Sequence, residues 1–266
     1  MKSCDLLISA PWVLPVAPEN TPLTEHSVAI SDGLISDIGP TDSILKDYSG
    51  TEHFKLTHHI VLPGLINTHC HSAMTLLRGA GEDQPLKAWL EDTIWPLEAA
   101  VMDDDYVTLG TQLAVAEMLL CGTTTFSDMY FLPEKVADVC VDIGIRAQLA
   151  FPIIEFANAW SNSADDALAK GLALHEQLQG NNLVHVALGP HSGYSLSASE
   201  LEHIAQVGLE QNLPIQMHIH ETAQEVADAH QSIGQSWIER CAEIGMLGSH
   251  VQAVHMTQIS DAELKL

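Results

Sequence analysis

Basic side chains are scarce in this chain of 266 residues: ten Lys and Arg stand against 35 Asp and Glu, a formal net charge of −25. Nucleic acid is therefore not an expected partner, because its binding rests on Lys and Arg neutralising phosphates. The acid excess reads as a solvated surface. No run of roughly 18 uncharged apolar residues is present, the length a membrane-crossing helix requires, so no membrane partner is expected either. Met1–Ala17 holds one basic residue, Lys2, and is interrupted by Pro11 and Pro15. It lacks the zones of a secretion signal, and the expected location is cytoplasmic. Cysteines are few and odd in number (Cys4, Cys70, Cys121, Cys140, Cys241), with no C-x-x-C pair. That excludes a disulfide framework and a cysteine zinc site. Internal repeats and low-complexity segments are missing too.

What the chain does have is 46% hydrophobic residues, enough for a substantial core. From Leu6 to about Leu62 short β-like runs alternate with turn formers: Leu6–Ile8, Ser27–Ile30 and Leu34–Ile38. Asp32-Gly33 between the last two has the composition of a two-residue hairpin turn. Residues 1–61 read as a small N-terminal β-sandwich module.

After Ile60 apolar runs (Ile60–Asn67, Thr123–Ser127, Ile145–Phe151, Leu183–Gly189, Pro214–His220, Val251–His255) alternate with amphipathic stretches. Helices are expected over Leu86–Glu98, Tyr106–Leu120, Pro133–Val141, Ala164–Leu178, Ser199–Gln211 and Gly234–Ile244. Ser197-Ala198-Ser199-Glu200 has the form of a capping box. Strand and helix in alternation mean parallel β/α units, which fit a doubly wound sheet or a (β/α)8 barrel equally. Polar residues recurring at the carboxyl ends of the strands favour the barrel, whose sites lie on that face. The expected class is thus α/β, a TIM-type barrel over residues 62–266. About six units precede Leu266 where a closed barrel needs eight. The expectation is an apparently truncated barrel that turns over substrate poorly as it stands.

Three strand ends carry chemistry. In Asn67-Thr68-His69-Cys70-His71 side-chain alternation puts His69 and His71 on one side and Cys70 on the other. Two such imidazoles make half a metal site, although an isolated H-x-H is as often a pair of polar histidines. In His218-Ile219-His220-Glu221, His218 and His220 share a face and both could be ligands. Equally, His218 could bind metal while Glu221 serves the chemistry; spacing does not choose. His255 ends a third apolar run.

These motifs resemble the amidohydrolases, specifically the 5-methylthioadenosine/S-adenosylhomocysteine deaminase group. The resemblance is carried by Leu62–His71 with Met74-Thr75-Leu76-Leu77-Arg78-Gly79, by Gly189-Pro190-His191-Ser192-Gly193-Tyr194, by His218–Thr222 and by Ala253-Val254-His255-Met256-Thr257. It implies that His69, His71 and His218 hold one divalent ion, with zinc favoured by three histidine nitrogens. It makes Glu221 the acid/base, demotes His220 to a neighbour, and turns His255 toward the attacking water. Glu98 is implied as the carboxylate on the ribose hydroxyls and His191 as the imidazole on the purine side; Arg78 and Arg146 read as structural. The implied reaction is hydrolytic deamination of the adenine ring of 5′-methylthioadenosine and S-adenosylhomocysteine, through a water activated by the metal. The family's remaining aspartate ligand, at the end of strand eight, has no counterpart before Leu266. The partner is then a small nucleoside, and a homo-oligomer is compatible with the sequence. Two rival expectations stand beside this one: an amidohydrolase for another ring (guanine, cytosine or triazine), and a metal-binding fragment without activity. Glu98 separates the first, since a carboxylate for ribose hydroxyls serves only nucleosides.

Overall fold

A computed structural model describes residues Met1–Leu266, which divide into two compact units, Met1–Gly64 and Leu65–Leu266. In the first unit β1 (Lys2–Val13), β2 (Leu23–Ser31), β3 (Leu34–Pro40), β4 (Tyr48–Lys55) and β5 (Ile60–Val61) form a single five-stranded sheet. β1 pairs with β2 antiparallel and with β4 and β5 parallel. Asp32 and Gly33 join β2 to β3 with φ of 52° and 74°, the left-handed pair that such a turn needs. The helix α1 (Thr41–Asp47) has no counterpart in the sequence expectation. Its seven residues are too few for a helical period to register, yet Ile44 is buried with Cys4, Leu7 and Ala29.

In the second unit β6 (Leu65–Cys70), β7 (Thr123–Asp128), β8 (Arg146–Ile153), β9 (Val184–Pro190), β10 (Ile215–Ile219) and β11 (Val251–His255) form a parallel sheet in strict sequence order. A doubly wound sheet reverses its order at a switch point; this one does not. It is also curled. Gln148 on β8 donates to Gln252 Oε1 on β11 (3.2 Å), and the Gln252 amide reaches the Thr68 carbonyl on β6. Strands three and five places apart lie beyond side-chain reach in a flat sheet, where each step is about 4.8 Å. A barrel wall brings them together.

The connections are α2 (Leu86–Ala88), α3 (Trp95–Val101), α4 (Asp104–Leu120), α5 (Pro133–Ile143), α6 (Ala164–Gln177), α7 (Ala198–Gln211), α8 (Ala223–Ile233) and α9 (Trp237–Glu243). The Ser197 box expected from the sequence is formed, and Asp103 and Ser163 accept from backbone N–H groups of α4 and α6. The expected helix Leu86–Glu98 is instead α2, a π-helical turn over Trp89–Ile94, and α3. Pro96 has no N–H to give and so interrupts the regular ladder. The expectation also missed α8. Its cap, Thr222, accepts from Glu225 N at 3.1 Å, and Gly234, expected to open the last helix, ends α8 in the left-handed region. No helix is long and apolar enough to cross a membrane.

The core of this unit runs along the strands, through Phe151, Leu188, Ile215, Met217 and Ile219 in one cluster and Phe126, Leu149 and Val184 in another. On its edge α4 comes close to the turn that follows β6. A Cβ on Gly110 would stand 2.5 Å from the Ala73 carbonyl oxygen, so only glycine permits that approach.

Candidate functional site

The carboxyl ends of β6, β10 and β11 converge. His69, on β6, lies with its ring centroid 4.8 Å from that of His71 and 4.8 Å from that of His218. His255, the last residue of β11, stacks on His218 at 5.2 Å. One nitrogen each from His69, His218 and His255 falls within 4.8 Å of the others. The most convergent set therefore contains His255 and leaves out His71, which stacks beside it on His218 at 5.4 Å.

Hydrogen bonds beneath the rings decide which nitrogens are free. His71 Nδ1 donates to the Met129 carbonyl at 2.6 Å, and His218 Nδ1 to the His191 carbonyl at 2.7 Å. His69 Nδ1 donates to Gln216 Oε1 at 3.1 Å. The acceptor role of that oxygen follows from the other end of the amide, whose Nε2 donates to Ser127 Oγ (2.6 Å) and Gln252 Oε1 (3.1 Å). With each hydrogen on Nδ1, all three Nε2 atoms carry lone pairs. His69 Nε2 and His218 Nε2 face each other at 3.1 Å with no hydrogen between them. A cation placed between such lone pairs relieves their repulsion, and imidazoles anchored through Nδ1 are the usual form of metal ligands. The residues present thus fit a divalent ion that accepts nitrogen donors.

Burial also keeps these rings neutral, as ligands must be. It pulls the pKa of His69 down to about 4 and that of His218 to about 2, with neighbouring imidazoles adding to the effect. His71 is lowered for the same first reason. His191, held at about 4 by burial and by His71 and His69, sits with its ring 4.8 Å from His218.

His220 goes elsewhere. It lies one residue beyond β10 with φ of 54°, so strand alternation no longer sets its direction. Its Nδ1 donates to the Gln258 carbonyl at 3.0 Å, away from the cluster. His255 also has positive φ, 77°, an uncommon conformation for a non-glycine residue that aims its ring at Glu221. His255 Nε2 and Glu221 Oε2 are 3.5 Å apart. Glu221 is half-buried, and desolvation raises its pKa; the Glu225 charge adds to this and His255 opposes it.

Glu98 on α3 is buried in the wall of a cavity of about 410 Å³ that also reaches His71 and His191. Its Oε1 accepts from the Tyr130 hydroxyl at 2.6 Å, and burial raises its pKa against that hydrogen bond. Arg78 lies outside, paired with Glu117 at 2.6 Å on the surface.

Sequence reasoning missed three side chains. Gln216 and Tyr130 bear no motif. Asp128 ends an apolar run exactly as the histidines do, so the strand-end rule could have found it. Its buried carboxylate accepts from Ser72 N at 2.6 Å, locking the turn after His71.

The amidohydrolase family model matches residues 60–266. The chain belongs to the amidohydrolase family. The resemblance read from the strand-end motifs is thereby borne out, and so is the barrel class. A zinc-bound adenosine deaminase from Xanthomonas campestris superposes with a TM-score of 0.97 at 38% identity, over 99% of this chain and 60% of that one. Among curated relatives, the 5-methylthioadenosine/S-adenosylhomocysteine deaminase of Saccharophagus degradans is 46% identical over 98% of this chain and 59% of its own length. The 5′-deoxyadenosine deaminase of Methanosphaera stadtmanae is 37% identical over 92% of this chain and 56% of its own. This amidohydrolase spans about 60% of the length of the relatives it matches.

Proposed function

We propose that the protein deaminates the adenine ring of a 5′-thioether nucleoside, the class to which 5′-methylthioadenosine and S-adenosylhomocysteine belong, with His69, His71 and His218 holding one zinc ion. A cytoplasmic location is part of the same proposal. The observation that carries it is the pairing of three free imidazole lone pairs with a carboxyl of raised pKa, Glu221, beside His255. Among the four clustered rings His255 is assigned the role outside the ligand set, because its Nε2 faces Glu221. The relatives named above, one of them zinc-bound, support the substrate class and the metal.

When bound, the ion supplies Lewis acidity that makes a water molecule nucleophilic near neutral pH. The chain's own residues do the rest. Glu221 Oε2 takes one proton of the attacking water and gives it to the ring nitrogen next to the amino-bearing carbon; it then takes the remaining proton of the added hydroxyl and passes it to the amino group, which departs as ammonia. A carboxyl pulled up from its ordinary value suits that exchange, since an acid/base works best with a pKa near the operating pH. His255 Nε2 orients the water and meets the charge at the attacked carbon. Glu98 receives the ribose hydroxyls on Oε2, because Oε1 is engaged by Tyr130. His191 borders the purine.

The test uses the chain joined to the part of the Saccharophagus degradans relative that it does not span. Methylthioadenosine should be converted, followed by the absorbance change from adenine to hypoxanthine. Glu221→Gln preserves shape but carries no proton. Turnover should fall on the order of 100-fold or more with zinc content unchanged. Loss of zinc, or near-normal turnover, overturns the assignment. Faster turnover of guanine, cytosine or a triazine than of any nucleoside overturns the substrate class.

A further inference from the structure

The cavity beside Glu98 is notable for its chemistry. Its volume, about 410 Å³, lies within the range of roughly 300–1,000 Å³ usual for small-molecule sites. Past His71 and His191 its walls are Trp89, Trp95, Met74, Met102, Ile154 and Phe156, and Glu98 is the one carboxylate among them. None of the chain's ten Lys and Arg residues lines it. Five of this unit's seven cations are paired elsewhere: Arg78 with Glu117, Lys87 with Glu91, Lys135 with Asp104, Lys170 with Asp166 and Arg240 with Glu243.

Most polar side chains of the wall are also spoken for. Asn158 Oδ1 accepts from the backbone N–H groups of Trp160 and Ser161, both at 2.9 Å, while its Nδ2 donates to Ser161 Oγ at 3.0 Å. Ser195 Oγ donates to the Ser192 carbonyl at 2.9 Å, and the Trp89 indole to the Ala80 carbonyl at 2.9 Å. Tyr130 is committed to Glu98. The Trp95 indole and the Tyr194 hydroxyl remain as neutral donors.

Resting on the nucleoside reading above, we infer that this cavity selects an uncharged, apolar 5′ substituent, such as methylthio, over the zwitterionic homocysteinyl group. A thioether methyl packs well on Met and aromatic surfaces and leaves nothing unpaired. The amino-acid tail brings a carboxylate. Entering the cavity, that carboxylate would shed water without meeting a cation, while the ammonium would find Glu98 already engaged by Tyr130 and the ribose hydroxyls. Burying a charge without a partner is among the most costly changes in a binding site. Adenosine, whose 5′-hydroxyl is neutral but polar, should fall between the two.

The experiment is a calorimetric titration of the 266-residue chain, supplied with zinc, with methylthioadenosine, adenosine and S-adenosylhomocysteine. Methylthioadenosine should bind on the order of tenfold or more tighter than S-adenosylhomocysteine, the consequence of leaving one charged group unpartnered. Phe156→Arg, at an exposed position of the wall, adds the missing cation and should narrow that gap. Equal affinities, or a tighter S-adenosylhomocysteine, overturn the inference and leave the nucleoside reading standing. A gap that Phe156→Arg leaves unchanged overturns it as well. If none of the three nucleosides binds, the selectivity inference falls, while the proposed function is judged separately by turnover of the joined chain.

Discussion

Gln216→Met separates metal binding from packing at the histidine cluster. Gln216 is fully buried and takes part in three hydrogen bonds, from His69 Nδ1 (3.1 Å) and to Ser127 Oγ (2.6 Å) and Gln252 Oε1 (3.1 Å). Methionine keeps the unbranched shape and removes all three. Two of the partners stay satisfied, because Gln148 Nε2 also donates to Ser127 Oγ (3.0 Å) and to Gln252 Oε1 (3.2 Å). The group left without a partner is His69 Nδ1–H. One orphaned, half-buried donor costs about 1–3 kcal/mol. The ring can escape that cost by moving its hydrogen to Nε2, which closes the lone pair that a metal would use. Zinc affinity should therefore fall about 10–100-fold, the usual effect of losing the group that orients a histidine ligand. Zinc affinity is measured by competition with a chromophoric chelator, stability by urea unfolding in EDTA, and the tautomer by imidazole nitrogen shifts in NMR. A variant that loses stability yet binds zinc as tightly as the parent, with His69 still carrying its hydrogen on Nδ1, would refute the reasoning. Gln216 would then be a packing residue only.

Tyr130→Phe removes the donor to Glu98 Oε1, so the carboxyl pKa should rise further and adenosine should bind about tenfold more weakly. Binding of 2′,3′-dideoxyadenosine, which has no hydroxyls for Glu98, should not change; an equal loss for both ligands counts against the ribose assignment. Asp128 bears on stability. Burial raises its carboxyl from 3.8 to about 6, a folded value above the unfolded one. The folded chain is thus penalised increasingly as pH rises from about 4 to 6 and carries the whole penalty above that. Asp128→Asn keeps an oxygen for the Ser72 N–H and removes the charge. It should stabilise the chain by on the order of 2–3 kcal/mol at pH 7 and by little at pH 4. An equal gain at both values, in urea unfolding, rules out the buried charge as the cause.

Local physics was written in the sequence. Alternation along a strand brought His69 and His71 to one side, the Ser197 box marked a helix start, and apolar runs ending in polar residues pointed to a barrel and its functional rim. Those signals act within a few residues, where covalent geometry and backbone hydrogen bonding leave few choices. Where the local rule lapsed, so did the expectation. His218 and His220 looked equivalent by spacing, and only the left-handed φ of His220, just past the end of β10, turns it away toward Gln258. The Leu86–Glu98 segment looked like one regular helix; it is helical throughout, but Trp89–Ile94, just before Pro96, takes π-type spacing. Contacts between distant residues were decided by tertiary structure alone. Gln216 stands 147 positions from His69, and Tyr130 stands 32 from Glu98. Neither pair has any periodicity to reveal it: the curl of the sheet carries Gln216 to His69, and the packing of α3 over the end of β7 carries Glu98 to Tyr130. Which nitrogen of each histidine is free is set by strand pairing for His71 and His218, whose Nδ1 atoms meet carbonyls at the ends of neighbouring strands, and by the curl of the sheet for His69.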